Sequence, residues 1–123
     1  MARPVVHFEI TGRDPEALRR WFGELFAWDF DEPSTVAEGI SDPGRYHFTA
    51  PEGGIPGGVA GGPGYTPGTL FYVAVDDVEA ALARAEELGG RRVFGPAAAP
   101  SGLVVGHLAD PEGNVVGLAA LPV

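Results

Sequence analysis

The sequence predicts an α+β fold: two tandem β-α-β-β-β units, residues 1–62 and 63–123, joined in a single domain. Three observations predict it: alternations that mark strands, two helical stripes opened by the same kind of cap, and a register in which the two halves match. Laid over itself so that Phe8 meets Phe71, the chain also sets Asp14 on Asp77, Glu16 on Glu79, Ala17 on Ala80, Glu24 on Glu87 and Leu25 on Leu88. Strand, cap and stripe coincide together, which points to an internal duplication. Neither half can bury its sheet face alone, so the two are expected to share one core. A length of 123 residues with 45% hydrophobic residues suffices for that.

Val5 to Ile10 alternates with period two, placing Val6, Phe8 and Ile10 on one face and His7 and Glu9 on the other. Asp14-Pro15-Glu16 then opens a helix, with Asp14 as cap and Pro15 where its missing donor costs nothing. Leu18, Trp21, Phe22, Leu25 and Phe26 recur at helical spacing and form a broad apolar stripe, with Trp21 and Phe22 expected in the core. Strands are expected at Trp28–Asp31, Tyr46–Ala50 and Ile55–Ala60, and Trp28 is read as core more than as a stacking wall for an aromatic ligand. The strand Thr69–Val75 follows. A second stripe of Val78, Leu82, Ala85 and Leu88 stops at Gly89-Gly90. Arg92–Phe94, Gly102–Leu108 and Val115–Leu121 complete the strands, with Asp110-Pro111-Glu112-Gly113-Asn114 as a turn by composition.

Composition excludes several function classes. A net charge of −9 with no lysine/arginine cluster would repel a phosphate backbone, so no nucleic acid partner is expected. No stretch approaches the roughly 20 apolar residues of a membrane span. Cysteine is absent, which removes disulfides and thiolate metal sites. The opening Met-Ala-Arg-Pro runs into a strand without an apolar leader, and a cytoplasmic location is the expectation. The glycine-rich run Gly53–Gly68 lacks the Gly-Lys-Ser/Thr of a phosphate loop and reads better as a flap or a crossing between units. Ser34, Ser41 and Ser101 stand in no nucleophile-elbow pattern.

The Asp-Pro-Glu helix with Trp21-Phe22 through Ala27-Trp28, the run Asp76-Asp77-Val78-Glu79-Ala80-Ala81-Leu82, and the turn Asp110–Asn114 before the last strand resemble the vicinal oxygen chelate superfamily. That group includes glyoxalases, bleomycin-resistance proteins and extradiol dioxygenases, and the chain looks most like its short glyoxalase-related members. The resemblance implies a mixed sheet curled into a cup, helices on its outer face, and a homodimer. Catalytic members hold a divalent metal in the cup, through donors on the first strand, the strand before the crossing, the strand after it, and the last strand. Carried over, these positions fall on His7, on an Ile55–Ala60 strand without donors, on Leu70 and on Gly117. One imidazole cannot hold such an ion against water, and Glu9 beside it would leave an open, weak site. No metal and no other cofactor is therefore expected.

The residues that remain suit a small-molecule site. His7 can orient a ligand, act in acid–base chemistry with its ordinary pKa near 6.5, or fill a wall. Glu9 can hold that imidazole or simply face water or an arginine. By the family pattern His107 faces into the cup, as does Tyr72, two residues after Leu70; packing at a dimer contact is the other account of both. In the Tyr46–Phe48 strand His47 takes one face and the two aromatics the other, without the sequence deciding which faces inward. The leading expectation is a metal-independent binding protein of the glyoxalase/bleomycin-resistance type. Its small apolar or aromatic ligand would meet Leu70, Tyr72 and Val105, with His7, Glu9 and His107 as polar fixers and Gly117 at the last-strand position. The alternatives are a metal-independent isomerase, lyase or hydrolase in which His7 moves a proton with Glu9 or His107, and a metal-dependent glyoxalase-type lyase.

Overall fold

A computed structural model of the chain describes residues 2–121. The described residues are α+β, with seven strands and two helices among them, and both parallel and antiparallel pairings occur. The chain divides into two compact units, one spanning His7–Thr69 and the other running to Val6 and again from Leu70 onward.

The His7–Thr69 unit carries most of β1 (Val5–Gly12), then α1 (Pro15–Phe26), β2 (His47–Thr49) and β3 (Gly57–Gly61). β3 lies between the other two, parallel to β1 with Phe8 opposite Gly57, and antiparallel to β2 with Phe48 opposite Gly58. Helix α1 begins where its signals put it: the Asp14 carboxylate accepts from the Ala17 amide at 3.1 Å, and Pro15 is buried in the first turn. It ends at Ala27, a non-glycine residue in the left-handed region at φ 59°.

Three expectations need correction in this unit. Trp28–Asp31 joins no named strand. The Asp31 amide does donate to the Phe48 carbonyl at 2.9 Å, but the segment's carbonyls are captured by side chains. Thr49 Oγ1 donates to the Asp29 carbonyl at 2.6 Å, and His47 Nδ1 bonds the Asp31 carbonyl at 2.7 Å. Such bonds compete with a ladder and leave the segment irregular. Trp21 is not core: it is 58% exposed and packs edge-on to Phe22, with ring centroids 4.9 Å apart. The glycine-rich run is no flap. Its middle is β3, buried along its whole length.

Trp28 is half-buried in a cluster of aromatic rings. Its ring stacks on Phe22 at 5.4 Å and meets Phe26 at 5.3 Å and Phe8 at 5.2 Å. The Phe8 ring in turn lies so close over Gly57 that a Cβ there would fall within its volume. On the face of β1 that the sequence marks as apolar, Phe8 thus packs among aromatic rings, whereas Val6 is exposed.

The other unit carries β4 (Gly68–Ala74) from Leu70, then α2 (Val78–Glu87), β5 (Arg91–Ala98), β6 (Val104–Ala109) and β7 (Val115–Ala120). β7 runs parallel to β4 and antiparallel to β6, and β6 pairs antiparallel with β5. Asp77 caps α2 by accepting from the Ala80 amide at 3.0 Å, matching Asp14 in the first half. The helix presses Val78 and Leu82 onto Leu118 and Ala120, with Val73, Val75, Val104 and Leu108 around them. Arg92 on β5 donates to Glu79 of the helix at 2.6 Å. In the turn before β7, Asp110 accepts from the Glu112 and Asn114 amides, both at 2.9 Å, and from Asn114 Nδ2 at 2.8 Å. These bonds hold its carboxyl below the usual range, the Asn114 side chain contributing most. Among the described residues no helix is long and apolar enough to cross a membrane.

Candidate functional site

Strand pleat and register assemble the second unit's polar face. On β4, Val73 turns toward α2, so Tyr72 and Leu70 turn away from it. Tyr72 stands opposite Gly117 on β7, Gly117 opposite His107 on β6, and His107 opposite Phe94 on β5. This single row holds a polar pair. The Tyr72 hydroxyl lies 2.9 Å from His107 Nε2, and the two rings meet at 61°. Phe94 closes on the far side of the imidazole at 5.1 Å. In the next row on the same face, buried Val105 stands opposite Ala119. Leu70, Tyr72, Val105, His107 and Gly117 therefore share one side of this sheet, as the sequence suggested.

Gly117 is the floor of the arrangement. A Cβ at that position would come within 2.5 Å of the Tyr72 ring. Only glycine lets the phenol lie flat against the strand, where it is 3% exposed and within reach of His107. Burial pushes the His107 imidazole below its ordinary value.

The first unit repeats the device with the partners exchanged. His7 and Glu9 share a face of β1, and Glu9 stands opposite Gly58, which is opposite Phe48. His7 Nε2 lies 2.9 Å from the Tyr46 hydroxyl, and its ring meets Phe48 edge-on at 5.5 Å. Tyr46 lies over Gly58, where an added Cβ would come within 2.3 Å of the ring. Tyr46 and Phe48 thus take the His7 side, and His47 turns to the Asp31 carbonyl. Burial pushes His7 down to about 4, so the imidazole is neutral at pH 7. Glu9 is 3% exposed. The Tyr65 phenol is raised by burial first and then by the charges of Asp42 and Glu9.

Sequence reasoning missed two members of these faces, Tyr46 as the partner of His7 and Phe94 beside His107, and also the Tyr65 phenol that feels the charge of Glu9. Only Phe94 left a signal, since pairing the strand that ends in Phe94 with the one that holds His107 brings the two rings together.

The resemblance raises a divalent metal, and the residues present do not fit one. His7 Nε2 is engaged by a phenol, Leu70 has no donor atom, and at Gly117 the space a carboxylate would need holds the Tyr72 ring. Among the described residues no three His, Cys, Asp or Glu side chains converge on a point that could hold an ion.

The fold and the family it matches place the protein in the vicinal oxygen chelate superfamily. Residues 7–119 match the family model described as a glyoxalase-like domain, and the chain belongs to that family. Among solved structures it is similar to methylmalonyl-CoA epimerase from Mycobacterium tuberculosis, with a TM-score of 0.68 and 14% identity over 97% of this chain and 88% of that one. It is also similar to a methylmalonyl-CoA epimerase in complex with methylmalonyl-CoA and NH4+, with a TM-score of 0.67 and 14% identity over 98% and 96%. A hypothetical protein from Bacillus halodurans C-125 gives 0.69 and 11% over 100% and 97%. At these identities the likeness is one of fold. No curated protein matches the chain.

Proposed function

We propose that this protein binds a small apolar or aromatic molecule without a metal ion, at the Tyr72–His107 face of the unit that runs from Leu70. The observation that carries the reading is the Tyr72–His107 pair on its glycine floor. A hydrogen-bonded polar couple set among Leu70, Phe94 and Val105 has the make-up of a ligand site, with apolar walls and few polar groups. The structural neighbours support a small-molecule role to the extent that one of them is described in complex with methylmalonyl-CoA. The donor positions occupied by Leu70 and Gly117 support metal independence.

The test is calorimetry and mass spectrometry of the purified chain against a panel of small metabolites, with and without chelator. Binding without consumption, unchanged by chelator, is the expected result. A compound converted on mixing, or binding abolished by chelation and restored by a divalent ion, overturns it.

One observation favours a catalytic alternative. Glu9 is an almost fully buried carboxylate on the face that bears His7, as a proton-transfer group would be. In that reading the protein is a metal-independent isomerase, lyase or hydrolase. Glu9→Gln would then abolish turnover of a compound found by the panel while leaving its binding intact. Equal turnover by the variant dismisses it.

The same proposal takes residues 1–123 as a single domain acting in the cytoplasm as a homodimer. The exposed apolar side chains of α1, Trp21, Leu25 and Phe26, support the dimer, and light scattering on the purified chain tests it.

A further inference from the structure

We propose that Arg91 is the specificity-determining residue of the Tyr72–His107 face, and that the ligand is a monocarboxylic acid on an apolar or aromatic frame whose carboxylate the Arg91 guanidinium holds. This deepens the binding reading given above and rests on it. The strand pleat puts the arginine on that face. Arg92 turns to α2, where it donates to Glu79, so its neighbour Arg91 turns the other way. Arg91 stands opposite Ala109 on β6, and Ala109 opposite Val115 on β7. That row is two residues along the strands from the row of His107 and Gly117, about 7 Å away on the same side of the sheet. A ligand of one ring and a short chain reaches from one row to the other.

Charge narrows the ligand. β4, β5, β6 and β7 contain no aspartate or glutamate, and their arginines are Arg91 and Arg92 alone. Arg92 lies against Glu79 and Glu86 of the helix. Arg91 is exposed, and among the described residues no ion pair engages it. Asp110, which follows Ala109, is occupied by its own turn, where it accepts from the Glu112 and Asn114 amides and from Asn114 Nδ2. In a chain of net charge −9, this face therefore carries one positive group and no negative one, beside apolar Val115 and the Leu70, Val105 and Phe94 walls. A planar guanidinium offers a carboxylate two parallel N–H donors, and one such cation matches one negative charge. A dianionic phosphate would be only half compensated there, and repelled by the rest of the chain.

Calorimetry of the full chain against phenylpropionate and phenylpropionamide, and against the matching cyclohexyl pair, tests the proposal. Each acid should bind about tenfold more tightly than its amide, as one well-formed charged pair allows, and the preference should shrink as salt is raised. Arg91→Gln should erase the preference. Arg13→Gln, the same charge change in the other unit, should keep it. Amide-detected NMR should place the largest shifts on adding an acid at Arg91, Val115 and His107. Equal binding of acid and amide overturns the proposal while the binding reading stands, and that comparison needs no variant to fold. A preference that survives in Arg91→Gln overturns it equally. If neither these probes nor the metabolite panel yields a binder, both readings fall.

Discussion

His7 sits between two influences that a solvated imidazole does not meet. Desolvation disfavours its charged form, and its Nε2 lies 2.9 Å from the Tyr46 hydroxyl. As pH falls through 6.5 the unfolded chain takes up a proton at His7, and the folded chain holds it off until about 4. Between those values the unfolded state binds more protons, so stability is fully present above pH 6.5 and declines toward pH 4. His107, lowered by the same cause, adds in the same sense. Urea unfolding from pH 8 to pH 4.5 should show the decline, and His7→Gln should flatten part of it. A variant with the full decline would show that His7 is not its source. At this scale the sequence spoke clearly about residue type and poorly about partners. His7, Tyr72 and His107 follow from alternation and the family pattern, and alternation also sets Tyr46 with Phe48, but nothing local says which face of the sheet the two take.

Helices and caps were the most legible elements, because their signals are local. Asp14 and Asp77 sit at the N-caps, and Leu82 lies under α2. Leu82 is fully buried, so Leu82→Ala should cost about 2–5 kcal/mol in chemical denaturation, the loss of a packed side chain plus the cavity it leaves. A cost below ~1 kcal/mol would mean that α2 is not seated there. Ala27 gives a prediction of opposite sign. It closes α1 at φ 59°, a conformation that burdens a Cβ and suits glycine, so Ala27→Gly should stabilise the protein by about 1 kcal/mol. A neutral or harmful effect would place the helix end elsewhere. What the sequence could not convey was the fate of Trp28–Asp31. Its composition suits a strand, but Thr49 and His47 divert its carbonyls from twenty and sixteen residues away. β3, by contrast, was expected as a strand at Ile55–Ala60, and its glycines answer to Phe8 and Tyr46, whose rings need bare backbone at Gly57 and Gly58.

For the molecule as a whole, the missing donor set makes a thermodynamic claim. A ligand that binds only the folded state stabilises it by an amount that grows with its concentration over Kd. Adding zinc, nickel or manganese at tens of micromolar, or removing metal with chelator, should therefore leave the melting temperature unchanged within about 1 °C. A rise of several degrees with one ion, lost in His7→Ala, would reinstate a metal centre. The fold was legible at this scale through the duplication, whose caps recur at equivalent places. The ligand was not, since the faces that would recognise it are built from pairings between distant strands.

Gly58 and Gly117 also say something about ancestry. If the lineage once carried a carboxylate at position 117, as the resemblance suggests, a point change back to it now meets an aromatic ring already parked on that spot. The phenol would have to leave before the old residue could return, and its departure alone would strand His107. A carboxylate at 117 is therefore shut out for as long as Tyr72 keeps its place. Descendants of this branch should vary in their apolar walls well before they recover a chelating side chain.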